Sequence, residues 1–129
     1  MVVVARTRDD EALVEAWRDI VARHARVSGA LEKTLEREHG IGLTEFEVLE
    51  RLASAGAEDQ RMQEIAEAVC LSQSALSRLI GRLEADGLVE RCMCPHDRRG
   101  INAVITDAGR ERYAAARPTH RSVLAQQLV

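Results

Sequence analysis

Cys92, Cys94 and His96, in the stretch CMCPH, are the densest set of soft metal ligands in this 129-residue chain. Thiolate and imidazole suit zinc, and alternate residues of a strand share a face, so three corners of a tetrahedral site are conceivable. The spacing supplies no fourth ligand and matches no finger or ribbon framework, so packing of a strand is the preferred reading and no metal or other cofactor is expected. Redox sensing would need Cys92 or Cys94 exposed as a thiolate, with Arg91 as the nearby cation; the alternative is ordinary core filling by a small apolar side chain. For Cys70 the structural reading is favoured.

Catalysis finds little support. The chain has no glycine-rich phosphate loop, and the serines of SQSALS sit on a helical pattern without a paired base. His24, His39, His96 and His120 are expected in separate elements. The protein is therefore not expected to be an enzyme.

The arginines are more informative. The formal net charge is −3, yet residues 1–70 carry 9 basic and 15 acidic side chains while residues 71–129 carry 9 and 6, so the second half is +3. Leu71–Leu83 and Arg91–Gly100 together hold five arginines (78, 82, 91, 98, 99) against one carboxylate, Asp97. Such a footprint suits the phosphates of a nucleic acid. With only three aromatic residues, Trp17, Phe46 and Tyr113, the chain does not offer a stacking platform for single strands, which leaves the duplex.

The elements that would position these arginines follow from periodicity. From Asp9 to about Arg37, Trp17, Ile20, Val21, Val27, Leu31 and Leu35 recur at helical spacing, a stripe longer than one small core can cover. His39–Gly42 breaks the chain, and Thr44-x-x-Glu47 reads as a capping box for a helix with Phe46, Leu49, Leu52 and Ala53 on its apolar face, ending at Gly56. Met62, Ile65, Ala66 and Val69 mark a short amphipathic helix. Ser72 is a good N-cap for another, with Leu76, Leu79, Ile80 and Leu83 as its buried stripe and Gly87 as its stop.

These two short helices have the proportions of a helix-turn-helix. The outer face of the second carries Gln73, Ser74, Ser77, Arg78, Gly81 and Arg82, small or polar enough to enter a major groove. A solvated helix face is the alternative. GLVERCMC and INAVIT read as two strands joined by a turn between Pro95 and Gly100, so a β-hairpin follows directly. A hairpin there is a wing, which puts Arg98 and Arg99 beside a minor groove, with Asp97 able to hold Arg99 extended. After Thr106 a last helix carries Tyr113, Ala116, Val123, Leu124 and Leu128; Pro118 should kink or divide it, and the first helix is its natural partner.

The stretches LTEFEVLERLA, RMQEIAEAVCLSQSALSRLIGRLEADGLVER and DRRGINAVITDAGRE, in that order, resemble the MarR family of bacterial winged-helix regulators over roughly Asp9–Leu124. The fold expected is mainly α with a small β-hairpin wing: a single domain over 1–129, with dimerisation helices at about 9–38 and 107–129 and a winged helix-turn-helix DNA-binding lobe at about 44–106. Three cysteines without a disulfide spacing make a reducing cytoplasm the expected location. The resemblance implies a homodimer on a palindromic double-stranded DNA site, usually a repressor, released by a small aromatic or phenolic effector. By position it implies DNA contacts from Ser72, Gln73, Ser74, Ser77 and Arg78, a wing-tip role for Arg99 oriented by Asp97, and phosphate contacts from Arg82 and Arg98. The family's last helix usually runs further than Val129, and a shorter one is expected to weaken the dimer.

Trp17, Val21 and His24 share one face of the first helix and could line an effector cleft; core or dimer packing explains the pattern equally. A winged-helix interaction module that has lost DNA binding is the rival class. MVVVARTR is too short an apolar run for a secretory signal, and no uncharged apolar run reaches the length of about 18 residues that a membrane helix needs.

Overall fold

The computed structural model describes the backbone of residues 2–55, 60–93 and 101–129, and side chains within 9–55, 60–92 and 102–129. Its order is α1 (Val2–His39), α2 (Leu43–Ser54), β1 (Gln60–Arg61), α3 (Met62–Ala68), α4 (Gln73–Ala85), β2 (Val89–Met93), β3 (Ile101–Ile105) and α5 (Asp107–Leu128). The expected mainly helical winged architecture is what forms.

The core is aliphatic around one aromatic. Phe46, Val48, Leu49 and Leu52 of α2 are buried with Ile65 of α3, with Leu76, Leu79, Ile80 and Leu83 of α4, and with Val89, Ala103 and Ile105 of the sheet. Val27, Leu31 and Val123 form a second cluster, where α1 meets α5. The pairing of first and last helices is thus present within the chain, but α5 does more: Ala116 and Tyr113 reach the main core, and the Tyr113 ring lies 5.4 Å from Phe46.

Four expectations are corrected. His39 has no element of its own, because it ends the same helix, α1, that carries His24. Helix α2 does not use a Thr44–Glu47 capping box: it starts at Leu43 behind Gly42, which makes no side-chain cap. The free Leu43 amide donates to Glu32 Oε2 of α1 at 2.7 Å, so a carboxylate from another helix does the capping. Pro118 does not divide α5, which runs unbroken from Asp107 to Leu128. The sheet has a third strand, because β1 pairs antiparallel with β3 through Gln60–Ala103 and Arg61–Asn102, giving the order β1-β3-β2. The expected stop at Gly56 lies outside the described residues.

The end of α4 and the start of α5 meet at one junction. Gly87 has φ +76°, a left-handed conformation that ends α4 at little steric cost. Thr106 ties this turn to α5: its hydroxyl donates to the Gly87 carbonyl at 2.6 Å and accepts from the Gly109 amide at 3.0 Å. Gly109 is packed against that junction, and a Cβ on it would sit 2.1 Å from the Leu88 carbonyl oxygen and 2.7 Å from Ile105 Cγ1. Because the first of these neighbours is backbone, Gly109→Ala must displace α5 rather than a side chain. The expected loss is at least about 2 kcal/mol, read from the denaturant midpoint.

A polar cluster holds α5 on α2. Glu50 accepts from the Tyr113 hydroxyl at 3.0 Å and pairs with Arg121. His120, 9% exposed, stacks on Phe46 with ring centroids 4.4 Å apart, and its Nδ1 accepts from Arg121 Nη1 at 2.9 Å. Burial, then the Arg121 charge, holds the His120 pKa below the usual histidine range despite Glu50 nearby. Burial pushes the Glu50 carboxyl up, but its hydrogen bonds from Arg121 and Tyr113 outweigh this and leave it below the ordinary carboxylate range.

Both shifts act in one direction. A histidine depressed in the fold takes its proton first in the unfolded chain, so its contribution is full above about pH 6.5 and is lost as pH falls toward the folded value. The Glu50 contribution is lost only in more acid solution, as pH falls through its own lowered pKa. Between pH 7 and pH 5.5 His120 therefore pulls the urea midpoint down, against the half-buried Glu45 and Glu47 carboxyls, whose raised pKa values act the other way. His120→Gln should raise the midpoint at pH 5.5 relative to that at pH 7, and an unchanged pH slope would remove His120 from this role.

Candidate nucleic-acid interface

The rotation of α4 sets the interface. Leu76, Leu79, Ile80 and Leu83 are all buried, which turns the opposite side of the helix to solvent. Ser72, Gln73, Ser74, Arg78 and Arg82 are exposed there, and Ser77 is half-buried. Ser72 also caps the helix, its Oγ accepting from the Ala75 amide at 3.2 Å and lying 3.3 Å from Ser74 Oγ. These six expected contact residues thus stand along one helix that opens outward at its N-terminal end. The positive end of the helix dipole and its unpaired amides favour a phosphate at that place.

The turn before α4 is tight. The Leu71 amide donates to the Ala66 carbonyl at 2.9 Å, and Cys70 adopts φ +58°, unusual for a side chain other than glycine. Cys70 is exposed at this bend rather than packed beneath it.

Strands β2 and β3 form the hairpin beside α4, in the register Val89–Ile105 to Met93–Ile101. Asp97, Arg98 and Arg99, with Cys94 and His96, lie outside the described residues. Cys92 is half-buried in β2. No group of three or more His, Cys, Asp or Glu side chains suited to a metal occurs among the described residues.

Arg91 departs from the simple charge count. Its side chain turns onto α4, where Nη2 donates to the Ser77 carbonyl and lies 3.3 Å from Ser77 Oγ. Its Nε is 3.8 Å from Glu84 Oε1, and its backbone amide donates to Glu84 Oε2 at 3.2 Å. Counting arginines along the sequence could not separate this one from its neighbours; the only local signal is Glu84 on the same helix face as Ser77, two turns on.

A cavity of about 340 Å³ opens between α1, α2 and α4, lined by Glu32, Glu36, Gly42, Glu45, Leu79 and Arg82, among others. Burial raises the Glu45 carboxyl, with Arg82 and the Gly42 amide opposing it. Trp17, Val21 and His24 do not line this cavity. All three are exposed on α1, Trp17 at 64% and Val21 at 45%.

A helix-turn-helix followed by a β-hairpin, with the polar face of its second helix exposed, defines a winged-helix protein. The MarR family model matches residues 39–100. The HTH-type transcriptional regulator YkoM of Bacillus subtilis is 36% identical over 84 residues, 65% of this chain and 53% of YkoM. The chain spans about half the length of the curated relatives it matches.

Among solved structures, AbsC of Streptomyces coelicolor superposes with TM-score 0.80 and 33% identity over 87% of this chain and 75% of that one. Sco3205 of the same species, crystallised in complex with DNA, gives TM-score 0.83 and 32% identity over 92% and 73%. The chain belongs to the MarR family, whose relatives here are transcriptional regulators. No helix among the described residues is long and apolar enough to cross a membrane.

Proposed function

We propose that the protein is a sequence-specific regulator of transcription that binds double-stranded DNA through α4 and the hairpin after it. The observation that carries this is the division of α4, one face fully buried and the other exposing Gln73, Ser74, Arg78 and Arg82. Sco3205, with the same fold at 32% identity, was crystallised with DNA, which supports the same use here. Hydroxyl, amide and guanidinium groups on such a face can read base edges in a major groove. Ser72, Gln73, Ser74, Ser77 and Arg78 are assigned to that groove, Arg82 and Arg98 to phosphates, and Arg99, held by Asp97, to the flanking minor groove.

The assembly assigned is a homodimer on a palindromic site, with recognition helices about 34–36 Å apart. Support comes from α1, where Leu13, Val14, Trp17, Ile20 and Val21 are each 45–66% exposed. That face continues as Trp17, Val21 and His24, so the geometry favours a second copy over an effector as its cover. A small aromatic or phenolic effector would release a repressor of this kind by favouring a spacing of the recognition helices that misses the half-sites.

Selection of duplexes from a random library, followed by fluorescence anisotropy across a salt series, tests the reading. A palindromic sequence should be enriched, bind with steep salt dependence, and lose at least about tenfold in affinity on Arg78→Ala. No enrichment, with equally feeble binding of every duplex by both proteins, would leave a winged-helix interaction module instead.

A further inference from the structure

We infer that Arg91 is a positioning residue, which braces the hairpin against the recognition helix and does not hold phosphate. The inference rests on the DNA-binding reading above. Three contacts carry it. The Arg91 guanidinium donates to the Ser77 carbonyl, lies 3.3 Å from the Ser77 hydroxyl, and has its Nε 3.8 Å from Glu84 Oε1. The same Glu84 carboxylate accepts from the Arg91 backbone amide at 3.2 Å, so strand and helix are joined through both main chain and side chain.

Ser77 and Glu84 are seven residues apart on α4, about 10 Å along its axis. One arginine therefore spans two turns of the helix from β2, the strand that pairs with β3 in the hairpin. Gly81 lies between the two attachment points and presents no side chain; a Cβ there would meet Arg91 Nη2 at 3.7 Å.

The pairing also changes the electrostatics. Arg91 and Glu84 offset each other, so neither adds to the net field that steers a duplex. A half-exposed ion pair of this kind contributes little to stability. Its consequence is angular: it fixes where the hairpin leaves α4, and so whether a major-groove helix and a minor-groove arginine can engage one site together. The fork of the guanidinium is needed to reach Ser77 and Glu84 at once, which a lysine ammonium cannot do.

Arg91→Ala, Arg91→Lys and Glu84→Gln, each measured against the selected duplex and an unrelated one across a salt series, separate a brace from a phosphate contact. A brace predicts that all three lose about tenfold for the selected duplex, keep wild-type affinity for the unrelated one, and keep the wild-type slope of log K against log salt. A phosphate contact predicts a slope reduced by about one for Arg91→Ala, near-wild-type binding by Arg91→Lys, and tighter binding by Glu84→Gln, which removes a negative charge. Any of these last three results overturns the inference. Should Arg91→Ala not fold, as judged by circular dichroism, Glu84→Gln decides alone, because the two models give it opposite signs. If the wild-type protein selects no duplex, the regulator reading falls first and the brace with it.

Discussion

Leu76, Leu79, Ile80 and Leu83 must leave water together, and that requirement sets the rotation of α4 about its own axis. The four side chains share one buried cluster with Phe46, Leu49 and Leu52 of α2 and with Ile65 of α3, all essentially inaccessible. Turning α4 by even one residue would expose a leucine and bury Ser74 or Arg78, at a cost of several kcal/mol. The recognition face is thus a by-product of core packing. Gln73, Arg78 and Arg82 are turned outward by that packing, and that leaves them available to a ligand.

The surroundings of α4 refine this setting. At its start, Ser72 caps the helix, and the turn through Cys70 fixes how it follows α3. At its end, Gly87 and Thr106 pass the chain to α5, with Gly109 allowing close approach. α5 is then held on α2 by Phe46, Tyr113, Glu50, His120 and Arg121, so the recognition lobe and the last helix share one core. Movement of α5 against its neighbours would be felt through α2 at α4. In the homodimer proposed above, that would give a change far from α4 a route to the spacing of the two recognition helices.

Much of this was legible in the sequence, for identifiable reasons. The α4 stripe has the helical period, with Ser72 and Gly87 as unambiguous ends, so its buried and exposed residues follow from local pattern alone. The two hairpin strands were legible from their apolar runs and turn residues. What escaped depends on contacts distant in the chain. Glu32 caps α2 from eleven residues away, and Gln60–Arg61 is too short to read as a strand until β3 is beside it. Arg91 resembles its neighbouring arginines in sequence, and only the packing of β2 on α4 reveals that it is engaged. On α1, the apolar stripe was already longer than one small core could cover, and Trp17, Ile20 and Val21 are among the positions left exposed.

In the function proposed above, the outward face of α4 meets duplex DNA. Titrating the ¹⁵N-labelled protein with a selected duplex and following backbone amide shifts tests it residue by residue. The largest changes are expected across Gln73–Arg82, with the amides of Leu13–Val21 little affected. Changes centred on Leu13–Val21, with Gln73–Arg82 unmoved, would contradict it.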